Sequence, residues 1–219
     1  MPSYSGIWTL QQQMQAQAQD LWPRLRIGDA YGGGYYAGQI STAGNGIADY
    51  NLVVGPVASA QSTLQWKTTN TTTAGTSSVI NGPANSTAMN NASHPAAQFC
   101  EGLTIGGYSD WYMPAKNELE VCYYNLKPTT TANNTGSGIN ANAVPARASN
   151  YTAGTPAQTS AADFKDTGAE DFSTAVTYWS STENSATYAS SQQFTTGNWP
   201  TSSAKTYSYR VRAVRRVAV

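Results

Sequence analysis

Gly106-Gly107-Tyr108-Ser109-Asp110-Trp111-Tyr112-Met113-Pro114-Ala115-Lys116-Asn117-Glu118-Leu119 is the stretch on which the fold turns. Proline fixes φ and has no N–H to donate, so it suits the first turn of a helix. A helix begun at Pro114 puts Ala115, Leu119, Cys122 and Leu126 on one face. Upstream, Ser93 precedes Pro95-Ala96-Ala97-Gln98-Phe99-Cys100-Glu101, and Gly102 follows. A serine cap, an early proline and a closing glycine predict a second, shorter helix. Cys100 and Cys122 both fall on apolar faces. They read as small core side chains, with a mutual disulfide as the alternative.

Around these two helices the pattern is one of strands and polar loops. Gly32-Gly33-Gly34 lies between Tyr31 and Tyr35-Tyr36 and reads as a turn between aromatic strands. It lacks the lysine and the following helix that a phosphate loop requires. Short strands are predicted at Leu52–Val54, Leu64–Trp66, Val176–Ser181, Ser191–Thr195 and Tyr207–Val217. In the last, Tyr207, Tyr209, Val211 and Ala213 alternate with Ser208, Arg210 and Arg212, which predicts one buried face. Residues 128–172 are rich in Thr, Asn, Ala and Gly, and read as a long loop facing outward. The acidic run Asp163 to Asp171 reads as a solvated turn.

The composition narrows the class of function. Only 11% of the 219 residues are charged and the formal net charge is zero, against roughly 25% charged residues in an average soluble domain. Long-range electrostatic steering is therefore not how a partner is found. The 14 Tyr and 6 Trp suit a modest core and contact surfaces. No apolar run approaches the roughly 20 residues of a membrane helix, and Met1-Pro2-Ser3-Tyr4 does not open a signal peptide. Residues 1–26 read as a separate helical arm, with Leu10, Met14, Ala18 and Leu21 on one narrow stripe. Trp8 and Trp22 flank the arm. So thin a stripe on a short helix needs a partner surface.

Three ordered segments carry a family resemblance. They are the Gly106–Leu119 stretch with its Asp110-Trp111 and Pro114, then Tyr178-Trp179-Ser180-Ser181-Thr182-Glu183, then Tyr209-Arg210-Val211-Arg212-Ala213-Val214-Arg215. Together they resemble the C-terminal domain family of collagen-like bacterial adhesins, modules of which also occur in phage tail-fibre and other virion proteins. The arm, from Gly6-Ile7-Trp8 to Trp22-Pro23, is similar to the start of phage structural proteins. The resemblance implies an α+β, C-type-lectin-like fold for residues 27–219. That fold has two helices, a small irregular antiparallel sheet and long loops, with 128–172 as an insertion and C-terminal strands and exposed loops from 176 to 219. It implies Trp111, Leu119 and Trp179 as core anchors and Pro114 as a helix start. It also implies that Glu118, Glu183, Arg210 and Arg212 tie loops to strands through paired hydrogen bonds.

The expected function is that of a non-enzymatic virion component at an exposed surface, such as a tail fibre or tail tip. The alternatives are a head decoration subunit without a receptor, or a bacterial cell-surface adhesin that binds polysaccharide. Asn184, Thr187, Tyr188, Ser190, Gln192, Asn198, Trp199, Ser202 and Tyr207 form the candidate ligand surface, because Tyr, Ser, Asn and Trp suit adaptable contacts. Residues 1–26 would dock other virion proteins or a second copy of the chain in a homo-oligomer, a trimer among the arrangements. The ligand would be a host-surface glycan or protein. No nucleic acid, membrane insertion, metal or other cofactor is expected. Glu183-Asn184 matches only part of a calcium-lectin ligand set. The cysteines lack the electropositive setting of reactive thiols, and His94, the single histidine, reads as a capping or surface residue. The arginines at 210, 212, 215 and 216 could bind a polyanion, but a charge-guarded strand edge with internal pairing fits them better.

Overall fold

The computed structural model describes residues 9–11, 14, 24–200 and 202–219. Its architecture is α+β, with two sheets and, among the described residues from 24 onward, four helices and one turn of 3-10 helix at Ala162–Phe164. The first sheet opens with a hairpin of β1 (Ala30–Tyr31) and β2 (Gly34–Ile40). Gly32 and Gly33 form its two-residue turn with φ of 56° and 83°, a backbone that side chains with a Cβ resist. Next come β3 (Tyr50–Val54) and then β9 (Val214–Ala218), all antiparallel, with β5 (Ala143–Val144) on the far end of β2. The second sheet has the order β4 (Gln61–Gln65), β8 (Ser208–Arg212), β6 (Thr177–Glu183), β7 (Ala189–Gln193). Its pairs are antiparallel except β6 with β8, which meet in parallel at Tyr178 and Arg210.

The chain from Ser208 to Ala218 belongs to both sheets. At Ala213 it leaves one for the other: the Ala213 N–H donates to Ala60 O at 2.8 Å, and its carbonyl accepts from Gly55 N–H at 2.9 Å. The predicted burial of one face is corrected here. Val211, Ala213 and Val214 are buried, but so are Arg212 and Arg215. A strand threaded between two layers has little solvent face, so its arginines are charged groups within the protein and need partners.

Within residues 27–219 two helices were expected and four are found among the described residues, two of which the sequence pattern hides. α1 (Val57–Ala60) is a single turn, and α2 (Gly82–Ala88) is made of small and polar residues, without apolar periodicity. The signal for α2 is local: Asn81 accepts from Ala84 N–H at 3.3 Å, with Pro83 in the first turn. α3 (Pro95–Glu101) has the expected bounds, but His94, not Ser93, is its N-cap, and the His94 side chain makes no cap bond. α4 (Lys116–Leu126) starts two residues after Pro114, not at it. Its N-cap is Ala115, which has no side-chain acceptor. The first turn is satisfied from elsewhere: Lys116 N–H donates to Thr182 Oγ1 at 3.0 Å and Asn117 N–H to Val79 O at 2.8 Å. Glu118 reaches back to accept from Ala115 N–H at 2.8 Å, which is half of a capping box.

Two apolar clusters hold the layers. One gathers Leu119, Cys122, Tyr123, Phe172, Tyr178 and Phe194 against Leu52 and Val54. The other gathers Trp66, Cys100, Trp111, Trp179 and Val211 against Val53. Val53 and Val54 serve opposite clusters because successive strand residues point to opposite faces. Both cysteines are buried and free, one in each cluster, so the disulfide alternative is dismissed.

Residues 128–172 expose many side chains but are not a loose loop: they are tied down on α4. Buried Glu120 of α4 accepts from Tyr151 OH at 2.6 Å and Asn140 Nδ2 at 2.5 Å, and pairs with Arg147. Asn133 donates to the carbonyls of Thr152, Ala153 and Pro156. The insertion is thus laid on α4 by the side chains gathered on Glu120 and folded on itself through Asn133, bonds that leave no apolar periodicity to read.

Candidate functional site

The three ordered segments meet in space. Pro114 O accepts from Ser181 N–H at 2.7 Å, and Thr182 caps α4. Arg215 makes a bidentate pair with Asp110, Nε to Oδ1 at 2.7 Å and Nη2 to Oδ2 at 2.8 Å. The pair holds the Asp110 carboxyl below its usual range. Arg216 Nε donates to Glu118 Oε1 at 2.8 Å, and Tyr112 OH donates to the same oxygen. Burial pushes the Glu118 carboxyl up, against the pull of Arg216.

Trp111, Leu119 and Trp179 are buried, and Pro114 is buried beside them. Arg212 pairs with Glu170, Nη2 to Oε2 at 2.6 Å, and donates to Gly55 O at 2.8 Å. Glu170 also accepts from Val57 N–H at 2.8 Å, so this end of the acidic run is a buried partner, not a solvated turn. Glu183 pairs with Lys205. Arg210 makes no ion pair among the described residues and lies against the Tyr178 hydroxyl. The partners Asp110, Glu170 and Lys205 were not foreseen, although Asp110 stood within the decisive stretch.

The segment from Asn184 to Tyr207 is a folded structure, not a free loop. Asn184 and Ser185 N–H both donate to Tyr188 O at 3.0 Å, Tyr188 bridges Ala204, and Ala189 N–H donates to Ser203 O at 3.1 Å. Asn184, Tyr188, Ser202 and Tyr207 are exposed, while Thr187, Asn198 and Trp199 are half-buried. Ser190 and Gln192 are corrected: both are buried in β7, Ser190 donating to Asn184 Oδ1 at 2.6 Å and Gln192 Nε2 to Gly197 O at 3.4 Å. Although β7 is an edge strand, both side chains are enclosed by the Asn184–Lys205 segment folded over it and offer nothing to a ligand. Tyr207 packs on Tyr209 at 5.8 Å between ring centroids, and Tyr209 on Trp179 at 4.7 Å. The exposed tyrosine is therefore the outer member of an aromatic stack rooted in the core.

Beneath this surface sits a buried polar cluster. The side chain of Lys205 is fully buried, pairs with Glu183, donates to Thr71 O at 2.9 Å, and lies 4.9 Å from the Trp66 ring centroid. Lys67 Nζ donates to Thr72 O and Thr73 Oγ1, both at 2.9 Å. His94 is not a surface residue: it is buried, with Nε2 2.9 Å from Thr73 Oγ1 and Nδ1 2.9 Å from Asn91 Oδ1. Burial, with Lys67 and Lys205 nearby, lowers its imidazole from 6.5 to about 4. Burial also pushes both thiols up, which leaves neither as a ready thiolate.

Trp8, Leu21 and Trp22 of the arm lie outside the described residues. Leu10 and Met14 are helical and exposed, at 73% and 63%. Among the described residues no helix is long and apolar enough to cross a membrane, and no group of acidic, histidine or cysteine side chains could hold a metal ion.

The model of the Lcl C-terminal domain matches residues 55–215. The chain belongs to the Lcl C-terminal domain family. This membership places it among adhesin-like or structural domains. No curated protein and no solved structure matches it. The matched span starts after β3, yet β3 pairs along its length with β9, where the span ends. Strands β1 to β3 therefore complete a sheet that the matched residues alone leave open.

Proposed function

We propose that this family member is a non-enzymatic phage virion protein, a tail-fibre, tail-tip or other exposed component, whose C-type-lectin-like module reads a host surface. The observation that carries the reading is the neutral patch of Asn184, Tyr188, Ser202 and Tyr207, held rigid over a buried ion-pair cluster. A pre-ordered aromatic and amide surface loses little entropy on binding, which favours contact with a glycan or protein. The buried thiols and the buried, hydrogen-bonded His94 support a role without catalysis. Residues 1–26 would dock the module on other virion proteins or in a homo-oligomer. Exposed Leu10 and Met14 also favour a second reading, a structural or decoration subunit for which docking is the whole role.

Two variants separate these readings. Tyr188→Ser with Tyr207→Ser should abolish attachment of particles to host cells while incorporation into the particle continues. Deleting residues 1–26 should abolish incorporation. Full attachment by the tyrosine variant would refute the receptor reading, and incorporation of the truncated chain would refute the docking role.

A further inference from the structure

Lys67, His94 and Glu183 converge on the peptide bond between Thr72 and Thr73, in the loop after β4. Lys67 Nζ donates to the Thr72 carbonyl and to Thr73 Oγ1, both at 2.9 Å, and to Thr71 O at 3.1 Å. His94 Nε2 is 2.9 Å from the same hydroxyl oxygen. Thr73 N–H donates to Glu183 Oε1 at 2.8 Å. Lys67, Thr73 and His94 are buried, whereas Thr71 and Thr72 are exposed, so water reaches the bond from outside.

The proton positions follow from the partners. An ammonium can only donate, so Thr73 Oγ1 accepts from Lys67 and has its own proton to give. That proton goes to His94 Nε2, which then presents a lone pair, with the ring proton on Nδ1. Nδ1 lies 2.9 Å from Asn91 Oδ1, and Ser93 N–H donates to that same amide oxygen at 3.1 Å, which marks it as the acceptor. His94 is thus held with its basic nitrogen on a hydroxyl, and its imidazole, at about 4, is neutral at physiological pH. Among the described residues Lys67 makes no ion pair. A buried ammonium aimed at carbonyls and a hydroxyl, and not at a carboxylate, is a costly way to fix a loop. It is what stabilisation of an oxyanion requires.

We infer that the chain cuts its own backbone between Thr72 and Thr73, with Thr73 as nucleophile, His94 as base and Lys67 as oxyanion donor. Thr73 Oγ1 attacks the Thr72 carbonyl carbon as its proton moves to His94 Nε2. The negative charge that grows on Thr72 O is met by Lys67 Nζ. The carbon–nitrogen bond then breaks and His94 returns the proton to the Thr73 nitrogen, which leaves an ester between Thr72 and the Thr73 side chain. Water hydrolyses the ester to the Thr72 carboxylate and the Thr73 hydroxyl. The freed amine takes up the proton released and stays beside Glu183. The net change is one water added. This is a single event on the chain's own backbone: burial closes His94 to outside substrates, and Thr73 is what its free nitrogen meets. The two parts stay joined after the cut, because β3 pairs with β9 and β4 with β8 across it. The arm is then held to the Asn184–Tyr207 surface by sheet pairing, without covalent continuity. The inference does not rest on the host-recognition reading, which needs neither Thr73 nor His94.

The test follows the purified full chain at neutral pH by intact mass spectrometry after denaturation. Residues 1–72 and 73–219 should appear as two products whose masses sum to that of the chain plus one water. Added hydroxylamine should trap the ester as the Thr72 hydroxamate. Thr73→Val, which keeps the shape and lacks the hydroxyl, should stay whole, and Thr73→Ser should still be cut. His94→Gln and Lys67→Met should each slow the cut about a hundredfold. The inference is overturned if the parent stays whole over a week and yields no Thr72 hydroxamate. It is also overturned if Thr73→Val is cut at the same bond, or if His94→Gln or Lys67→Met is cut at the parent's rate, since a contaminating protease needs none of these groups. Each of these results leaves attachment through Tyr188 and Tyr207 untouched.

Discussion

The terminal strand and the Asn184–Tyr207 segment use opposite chemistry. Residues 210–216 carry four of the chain's twelve basic side chains, and Arg212, Arg215 and Arg216 are each tied to a carboxylate. The outer segment presents tyrosine, asparagine and serine, and its one buried cation, Lys205, is spent inward on Glu183. In this protein scarce charge goes to joining layers, and the exposed face of the Asn184–Tyr207 segment is close to neutral. Arginine suits the inner task because its fork satisfies a carboxylate and neighbouring carbonyls together. Tyrosine suits the outer one because it offers much contact area for few rotors.

The strongest way to break this contrast is to remove an inner tie. Arg212→Met strands Glu170 beside Val57 N–H and should cost about 3–5 kcal/mol in denaturant unfolding. A loss within the range of ordinary surface substitutions would show that the pair does not join the layers. Glu170→Gln in the Arg212→Met background should recover part of the loss, since the stranded charge is then gone.

Acid should act next most strongly, through His94. Its imidazole is held at about 4 in the folded chain against an ordinary 6.5. Between those values the unfolded chain binds a proton that the folded chain refuses. Stability is therefore full above pH 6.5 and falls as pH drops toward 4, by up to about 3 kcal/mol. Asp110, also lowered, adds a loss in the same direction at lower pH, and Glu118, which is raised, opposes it. The difference between the parent and His94→Gln isolates the imidazole: its slope over pH 4–6.5 should be the shallower. Equal slopes would mean that the imidazole is protonated in the folded state.

The smallest effect sharpens the outer half of the contrast. Tyr188 and Tyr207 are 37% and 50% exposed, so each change to serine should shift stability by no more than about 0.5 kcal/mol. A larger loss at Tyr207 would mean that its stack on Tyr209 is structural, which would remove it from the contact surface.

Much of this design is legible in the residues. The aromatic hairpin at Gly32-Gly33, the α3 bounds at Pro95 and Gly102, and the buried Trp111, Leu119 and Trp179 follow from turn chemistry and apolar spacing. Paired charges were readable in kind but not in partner. Arg212 and Glu170 are 42 residues apart, and neither alternation nor spacing encodes so distant a match. α2 escaped notice because Asn81 and Pro83, not an apolar stripe, define it. Ser190 and Gln192 misled because polar side chains usually mark exposure, whereas β7 buries them and satisfies Ser190 through Asn184. The insertion at 128–172 is ordered by polar bonds to the Glu120 carboxylate and by Asn133 to backbone, a chemistry without periodicity. Among the residues named for a contact surface, the buried ones could not be told from the exposed ones in the sequence.

Retention of the folded full chain on immobilised heparin at physiological ionic strength tests the inner-charge, neutral-surface account most directly. Arginines committed to Asp110, Glu118 and Glu170 leave little for a polyanion, so the chain should pass through unretained. Retention that is released by salt and lost on Arg215→Gln with Arg216→Gln, in a variant that still folds, would contradict it.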